Sequence, residues 1–174
     1  LAKNGIKFVK HFFREKYSVL PTLSIMKREF EDLCDRYLDL ISESKQDLIK
    51  KSADYLKNYD KILLHCHSST TEGLIKELAR GDKEFEIVCT ETRPMYQGRI
   101  TAKNLVNAGI KTTLITDGAA ESFTINRGSI PIDTVMIGCD QIMHKGYVIN
   151  KIGSWGIAMS SHYADKPLYV VTPL

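Results

Sequence analysis

From residue 61 onward, short apolar runs alternate with amphipathic runs, and this alternation constrains the fold more than any other feature of the sequence. The short runs predict strands and the amphipathic runs predict helices. The predicted order is strand 61–65, helix 71–80, strand 86–90, helix 98–108, strand 111–116, helix 119–126, strand 133–138, a hairpin around Lys145-Gly146, helix 153–164 and strand 168–172. Strands that alternate with helices form right-handed βαβ units and a parallel sheet buried on both faces. We therefore expect an α/β fold, with a Rossmann-like parallel sheet domain over residues 59–174.

The preceding residues, 1–58, carry a helical pattern instead. Apolar side chains recur on one helix face in two stretches, which Pro21 separates because proline interrupts helix interiors. Ser44 is a suitable N-cap for a third helix. The apolar positions are Ile6, Val9, Phe12 and Phe13 in the first helix, Phe30, Leu33, Cys34, Tyr37, Leu38 and Ile41 in the second, and Leu48, Ile49 and Tyr55 in the third. We predict a small helical N-terminal subdomain that precedes the sheet domain.

Length and composition exclude several classes of protein. The 174 residues suffice for one domain with a small appendage. Hydrophobic residues at 43% and charged residues at 26% argue against disorder. No apolar stretch approaches the roughly 18–20 residues of a spanning helix, so we expect no membrane partner. The net charge of +3 is mild and many lysines alternate with acids, so we expect no direct nucleic-acid binding.

The four cysteines, Cys34, Cys66, Cys89 and Cys139, have no spacing that predicts a disulfide framework. There is no CxxC motif, and three of them lie in or beside apolar runs, which favours a reduced, cytoplasmic location. No group of ligand residues has the spacing of a zinc site, so we predict no bound metal.

Two predicted strands end beside residues that can move protons. Cys66 directly follows strand 61–65, and Asp140 closely follows strand 133–138. Open α/β sheets bind ligands beyond the carboxyl ends of their strands. A thiol and a carboxyl at two such ends suit proton transfer across a small substrate.

The turn after Cys66 is rich in hydroxyl groups and leads into helix 71–80. Free backbone amides and the helix dipole favour anions at such a helix start, so Ser68, Ser69 and Thr70 are candidates to hold a phosphate. A plain serine or threonine N-cap is the alternative. The turn lacks the glycines of a nucleotide-binding fingerprint.

Charged and amide side chains crowd the ends of two further predicted elements. Arg93 follows strand 86–90 and can clamp a phosphate, or it can form an internal ion pair with Glu91, as Arg99 also can. Asn150 and Lys151 lead into helix 153–164, where Lys151 suits phosphate oxygens or a contact at the helix start.

Three motifs together resemble one protein family. They are His65-Cys66-His67-Ser68-Ser69, Glu91-Thr92-Arg93-Pro94 with Gln97-Gly98-Arg99, and Gly138-Cys139-Asp140 with Asn150-Lys151-Ile152-Gly153. The family unites the alpha, beta and delta subunits of translation initiation factor 2B with methylthioribose-1-phosphate isomerase and ribose-1,5-bisphosphate isomerase. The resemblance covers residues 60–174, and the middle motif is more similar to archaeal-type ribose-1,5-bisphosphate isomerases than to the methylthioribose branch.

The resemblance implies an aldose–ketose isomerase of a pentose 1-phosphate, with ribose 1,5-bisphosphate giving ribulose 1,5-bisphosphate without a cofactor. The family's catalytic cysteine and aspartate match Cys66 and Asp140. As a thiolate, Cys66 would accept a proton, and protonated Asp140 would donate one. This requires a thiol pKa lowered by the helix end and a nearby His or Lys, and a carboxyl pKa raised by burial. Expected phosphate contacts are Ser68, Ser69, Thr70, Arg93 and Lys151, with Gln97 and Asn150 holding sugar hydroxyls.

A second function stays open. The chain could be a non-catalytic regulatory subunit of the initiation factor 2B type, which binds a sugar phosphate or a nucleotide and associates with the initiation factor 2 GTPase. A nucleotide is a candidate activator of the enzyme as well. Retention of both Cys66 and Asp140 favours the enzyme.

The family's isomerases also carry an Arg-Gly phosphate loop near the amino end and a lysine-bearing segment at the carboxyl end. Neither lies within residues 1–174, and Cys139 replaces the usual alanine before the aspartate. We therefore expect a truncated chain, at the carboxyl end above all, or a loss of catalysis.

Apolar and aromatic side chains cluster in the predicted hairpin and in helix 153–164: Tyr147, Ile149, Trp155 and Met159. Such a set at a sheet edge is either core or interface. Members of the family pair through this half of the molecule, so the resemblance implies a homo-oligomer, a two-fold dimer or a larger assembly.

Overall fold

A computed structural model describes residues 2–19, 21–81 and 84–173. The chain divides into two compact units, residues 1–46 and residues 47–173. The first unit is helical, with α1 (Ala2–Lys16) and the first part of α2 (Leu23–Leu56). Val9 and Leu33 are buried in this unit, and Lys16 forms an ion pair of 2.8 Å with Glu29.

The prediction of a third helix that begins at Ser44 is wrong. Ser44 lies in the interior of α2, which continues without a break to Leu56. The residues around it, Glu43, Lys45 and Gln46, are good helix formers, and neither proline nor glycine occurs nearby. A residue that can cap a helix therefore does not end the one it lies in, because nothing interrupts the backbone hydrogen bonds.

The second unit, over residues 47–81 and 84–173, contains a five-stranded parallel sheet. Its strands are β1 (Lys61–His65), β2 (Glu86–Thr90), β3 (Thr112–Ile115), β4 (Thr134–Ile137) and, at the carboxyl end, β7 (Leu168–Val170). A separate antiparallel pair, β5 (Gln141–Ile142) and β6 (Val148–Ile149), forms the predicted hairpin. The predicted α/β fold with a parallel sheet and a helical N-terminal region is confirmed.

Helices connect the strands in the predicted order. They are α3 (Ser69–Leu78), α4 (Gln97–Asn107), α5 (Ala120–Thr124) and α6 (Ser154–Tyr163). The connection after β3 differs most from the prediction, because a 3-10 turn (Asp117–Ala119) precedes a short α5. Within the described stretches, none of the helices combines the length and the apolar character that a bilayer crossing demands.

The sheet is buried on both faces, as the apolar strands require. Successive side chains of a strand point to opposite faces, so Ile62 and Leu64 pack in one apolar cluster while Leu63 packs in the other. The first cluster includes Leu74 of α3, and the second includes Ile157 of α6. The helices thus cover both faces of the sheet.

The strand order is β3-β2-β1-β4-β7. The chain runs outward from β1 to β3 and then crosses back to place β4 on the other side of β1. The order therefore reverses between β1 and β4, which is the topological switch point at which open α/β sheets bind ligands. His65 is paired with Ile137 at the carboxyl ends of these two strands. Cys66 and Asp140 follow the two strands that flank the switch point.

Candidate active site

Cys66 leaves β1 in a left-handed backbone conformation, with φ of 75°. Its amide donates a hydrogen bond to the Thr92 hydroxyl at 3.1 Å. The half-buried thiol lies 3.9 Å from both the His67 carbonyl oxygen and the Gln97 side-chain oxygen. Gln97 begins α4, so the structure brings this predicted ligand residue next to the thiol that is predicted to transfer a proton.

Burial raises the pKa of the Cys66 thiol above the ordinary cysteine value. A backbone hydrogen bond at His67 and the positive charge of Lys151 lower this pKa, while Asp140 and Asp117 raise it further. The predicted lowering of the thiol pKa is therefore wrong, because desolvation outweighs the contribution of Lys151. The same interactions show that Asp140 and Lys151 both lie within electrostatic range of Cys66.

Asp140 lies beyond β4, next to the β5–β6 hairpin, where its amide donates to the Ile149 carbonyl oxygen at 2.9 Å. Its side chain is exposed. The expected apolar burial of this carboxyl is wrong, because the hairpin that carries it stands outside the two packed clusters of the sheet.

Lys151 and Asn150 lie between β6 and α6, at the same sheet edge as Cys66. Lys151 is partly buried, and its backbone carbonyl accepts the Ser154 amide at 3.1 Å at the helix start. Its backbone thus makes the helix contact, while its charge acts on Cys66. The side-chain amide of Asn150 donates a hydrogen bond to the Ser154 hydroxyl at 2.9 Å.

The hydroxyl-rich turn caps α3. Ser68 has an extended backbone, and its hydroxyl accepts the Thr71 amide at 3.3 Å. Ser69 is exposed and Thr70 is buried. The Thr71 hydroxyl is buried without a hydrogen-bond partner in the described part of the chain. Ser68 is therefore the N-cap of α3, as the alternative prediction has it. The start of α3 still directs backbone amides toward the strand ends.

The Glu91 carboxylate binds two guanidinium groups. Its oxygens lie 2.9 Å from Arg93 Nε and 2.7 Å from an Arg99 terminal nitrogen. These two partners hold the pKa of Glu91 below its usual range. Both arginines also lie over the Tyr96 ring, at 5.2 and 4.1 Å from its centroid. Both predicted ion pairs form, and both arginine side chains remain more than half exposed. Only Nε of Arg93 is bonded to Glu91, so the other guanidinium donors of Arg93 can reach a ligand.

Asp117 and Gly98 also shape the site. The sequence reasoning missed Asp117 and assigned no role to Gly98, which it placed only within the middle motif. Asp117 follows β3, and its carboxylate accepts the backbone amides of Thr92 and Arg93. Gly98 leaves room for the Thr90 carbonyl oxygen, which would lie 1.7 Å from a Cβ atom at this position. The rule that ligands bind at strand ends could have found Asp117, which comes two residues after the third strand. Over residues 2–19, 21–81 and 84–173, no group of three or more His, Cys, Asp or Glu side chains could hold a metal ion.

Comparison with known sequences finds relatives of this chain. The profile of the initiation factor 2 subunit family matches residues 2–174. The chain is 33% identical over 149 residues to a Haloferax volcanii protein named ribose 1,5-bisphosphate isomerase, which covers 86% of this chain and 45% of that protein. It is 34% identical over 141 residues to a Methanocaldococcus jannaschii protein of the same name, with 81% and 44% covered. The chain spans less than half the length of these curated relatives.

Solved structures share the fold. A translation initiation factor eIF-2B from Pyrococcus horikoshii OT3 superposes with a TM-score of 0.77 at 29% identity, covering 82% of this chain and 50% of that one. The 5-methylthioribose 1-phosphate isomerase from the same organism superposes with a TM-score of 0.74 at 24% identity, covering 94% and 47%. The second likeness concerns the fold alone.

Proposed function

The chain belongs to the initiation factor 2 subunit family, and on this premise we propose that it is an aldose–ketose isomerase of a pentose 1-phosphate. Ribose 1,5-bisphosphate is the proposed substrate and ribulose 1,5-bisphosphate the product. The observation that carries the proposal is the placement of Cys66 and Asp140 on the two sides of the switch point, with Lys151 close enough to act on the same thiol. The names of relatives at 33% and 34% identity support this substrate.

The reaction needs proton transfer and no external oxidant. Opening the sugar ring breaks the bond between C1 and the ring oxygen, which gains a proton. C2 loses its carbon-bound proton and its hydroxyl proton to become a carbonyl, and C1 gains a proton. C2 is oxidised while C1 is reduced, so the electrons balance within the substrate. Two positioned acid–base groups near C1 and C2 are the main requirement.

Cys66 and Asp140 are the proposed acid–base pair. The raised pKa of the thiol means that the protonated form of Cys66 dominates near neutral pH. The positive charge of Lys151 lowers the pKa of the thiol and so favours the thiolate. This attraction is expected to strengthen when a bound substrate excludes water from between Lys151 and Cys66. The left-handed backbone conformation of Cys66 also supports a functional role for this residue, since strained backbone conformations cluster at functional sites.

Phosphate groups are proposed to bind at two positions around this pair. One is the start of α3, with the hydroxyls and amides of Ser68, Ser69 and Thr70. The other is formed by Arg93 and Lys151, which supply charge-assisted donors. The side chains of Gln97 and Asn150 would hold sugar hydroxyls. A nucleotide activator is a further proposal, supported by the family resemblance alone.

The test is to incubate the protein with ribose 1,5-bisphosphate and measure the ketose. The variants Cys66→Ser and Asp140→Asn are expected to lose most activity, with losses of about 100-fold or more. Cys34→Ser and Asp165→Asn are the matched controls, because they make the same substitutions at residues that take part in none of the site contacts described above. Wild-type activity in Cys66→Ser and Asp140→Asn would refute the assigned roles, and no ketose from the unaltered protein would refute the function.

The alternative is a non-catalytic regulatory subunit that associates with the initiation factor 2 GTPase. The likeness to an eIF-2B structure at 29% identity favours it, as does a Pyrococcus furiosus relative, 28% identical, named a putative translation initiation factor eIF-2B subunit 2-like protein. Pull-down with an archaeal initiation factor 2 tests this alternative. Binding without isomerase activity would favour it over the enzyme.

A second copy of the chain is the proposed partner of the apolar surface formed by Tyr147, Ile149, Trp155 and Met159. All four side chains are exposed, Trp155 at 79% and Tyr147 at 69%. Trp155 and Met159 are four residues apart on one face of α6, while Ile157 packs against the sheet. A helix that is apolar on both faces is usually buried on both. The same patch on two subunits would meet in a two-fold interface.

A further inference from the structure

His65 is the last residue of β1 and has no role in the chemistry proposed above. The residue is 3% exposed. One ring nitrogen, Nε2, lies 2.8 Å from the Ile152 carbonyl oxygen, and the other, Nδ1, lies 2.7 Å from the Thr90 hydroxyl. Gly153 packs against the ring, since a Cβ atom there would lie 3.1 Å from Cε1 and Nε2. Because the ring is buried and both of its nitrogens are hydrogen-bonded, its position is held by the surrounding structure.

The partners determine which nitrogen of His65 carries the proton. A carbonyl oxygen only accepts, so Nε2 is the donor to Ile152. In the neutral ring Nδ1 is then an acceptor, and the Thr90 hydroxyl donates to it. Burial lowers the pKa of His65, as does Lys151, against the opposite effects of the Ile152 carbonyl, Asp117 and Glu121.

The hydrogen bonds continue from Thr90 to the backbone of Cys66. The Thr92 hydroxyl lies 3.2 Å from the Thr90 hydroxyl, whose own proton already points to His65, so Thr92 is the donor in this pair. The same Thr92 hydroxyl also lies 3.4 Å from the Thr90 carbonyl oxygen, a second and longer contact. The Thr92 oxygen in turn accepts the Cys66 amide at 3.1 Å. A chain of hydrogen bonds therefore runs from the Cys66 amide through two threonines and one imidazole to the Ile152 carbonyl.

This chain joins the backbone segments that carry the proposed acid–base and phosphate-binding groups. Cys66 and Thr92 both have left-handed backbones, at φ of 75° and 60°, which persist in non-glycine residues only where their surroundings hold them. Ile152 directly follows Lys151. Fixing the Ile152 carbonyl and the Cys66 amide therefore sets the distance between the Lys151 and Cys66 backbones.

We propose that His65 is a positioning residue, which in its Nε2-protonated neutral form holds the Cys66 backbone and the Lys151 loop in a fixed relation through Thr90 and Thr92. Its kinetic consequence rests on the proposed isomerase function. Its structural consequences, the tautomer and the environment of the thiol, can be measured without any substrate.

The first measurement is the tautomer of His65 in the unaltered protein. Long-range proton–nitrogen correlation NMR distinguishes the two neutral tautomers and the imidazolium, and the ring is assigned through its proximity to the Gly153 α-protons. We expect a neutral ring protonated on Nε2 at pH 7. A proton on Nδ1, in either the other tautomer or the imidazolium, would overturn the proposal.

The second measurement compares Thr90→Val with Thr134→Val. Both threonines are fully buried in strands, and the Thr134 hydroxyl donates to the Pro167 carbonyl oxygen at 2.8 Å, at the opposite end of the sheet. Thr90→Val removes the donor to His65 without changing the side-chain shape. We expect it to reduce kcat/KM by about 10- to 100-fold and to increase severalfold the rate at which iodoacetamide alkylates Cys66. Thr134→Val is expected to change neither.

Equal effects of the two substitutions on alkylation would show a purely structural role and overturn the proposal. Alkylation needs no substrate, so the two proposals fail separately. A wild-type protein that produces no ketose refutes the isomerase function, while the tautomer and the alkylation rates still decide the role of His65. If Thr90→Val does not fold, the tautomer in the unaltered protein decides alone.

Discussion

Asp117 accepts a hydrogen bond from the backbone amide of Thr92 at 2.7 Å, and this bond holds a threonine in a left-handed conformation beside the candidate site. A β-branched residue rarely adopts φ of 60°. The second oxygen of the same carboxylate accepts the Arg93 amide at 2.6 Å. Asp117 therefore shapes the turn that presents the Arg93 side chain.

Replacing Asp117 by alanine is expected to lower the free energy of unfolding by about 1.5–3 kcal/mol, because two backbone amides lose a charged acceptor. Urea denaturation measures the change. Asp165→Asn is the control: Asp165 is exposed at φ of 52°, a conformation that asparagine tolerates, so its effect should stay within about 0.5 kcal/mol. An Asp117→Ala variant as stable as the control would contradict the proposed role of the carboxylate.

Gly98→Ala is expected to destabilise the protein by about 1–3 kcal/mol or more, because the added methyl group meets the Thr90 backbone oxygen, which has little freedom to move. Thermal unfolding followed by circular dichroism measures the loss. Gly118→Ala serves as the control, since no atom lies within 4 Å of a Cβ atom there. Similar thermal unfolding midpoints for the two variants would show that the turn after β2 moves to accommodate the methyl group.

The rate of Cys66 alkylation is expected to rise with pH through a midpoint above the ordinary cysteine value, because burial raises the pKa of the thiol. Asp140→Asn should move the midpoint to lower pH, since Asp140 raises this pKa. Lys151→Ala should move it to higher pH, since Lys151 lowers it. Mass spectrometry after brief iodoacetamide treatment gives the rates at Cys66. Shifts in the same direction for the two variants would contradict the electrostatic arrangement of the site.

Arg93→Ala and Lys151→Ala are each expected to weaken binding of ribose 1,5-bisphosphate by roughly ten- to hundredfold, the effect of losing a charge-assisted contact of about 1.5–3 kcal/mol. Titration calorimetry in a Cys66→Ser background avoids turnover of the ligand. Arg80→Ala is the control, because its exposed guanidinium pairs with Glu77 outside the site. Undiminished affinity in the Arg93 and Lys151 variants would place the phosphate elsewhere.

Light scattering at micromolar concentration is expected to give at least a dimer mass. Trp155→Glu should shift the protein to a monomer, because it places a charge in the proposed apolar interface. Val106→Glu, at an exposed position of α4, should leave the mass unchanged. A monomer mass for the unaltered protein, or a dimer that survives Trp155→Glu, would contradict assembly through this surface.

The sequence predicted the strands of the sheet closely because their apolar runs must be buried on both faces whatever the strand order. β1 and β2 begin and end at the predicted residues. Ser44 shows the limit of local signals. A capping residue marks a helix start only where the backbone hydrogen bonds are already interrupted, and α2 runs through it.

Residue types at strand ends were equally accessible to sequence reasoning. Each of four candidate residues follows or precedes a predicted element, and the motif resemblance connects them: Cys66, Asp140, Arg93 and Lys151. The raised pKa of Cys66 and the exposure of Asp140 do not follow from sequence in this way. Whether a thiol is desolvated and a carboxyl exposed depends on the packing of β1 and on the position of the hairpin beyond β4.

The sequence by itself determined that the chain forms a parallel α/β sheet and which side chains stand at its carboxyl edge, because hydrophobic periodicity and turn chemistry are local properties. Only the tertiary structure decided that β4 lies beside β1, which brings Cys66 and Asp140 to one switch point. It also joined His65, Thr90, Thr92 and Ile152 into one hydrogen-bonded chain. Strand order and side-chain hydrogen bonds depend on contacts between residues far apart in the sequence, and a local pattern does not encode them.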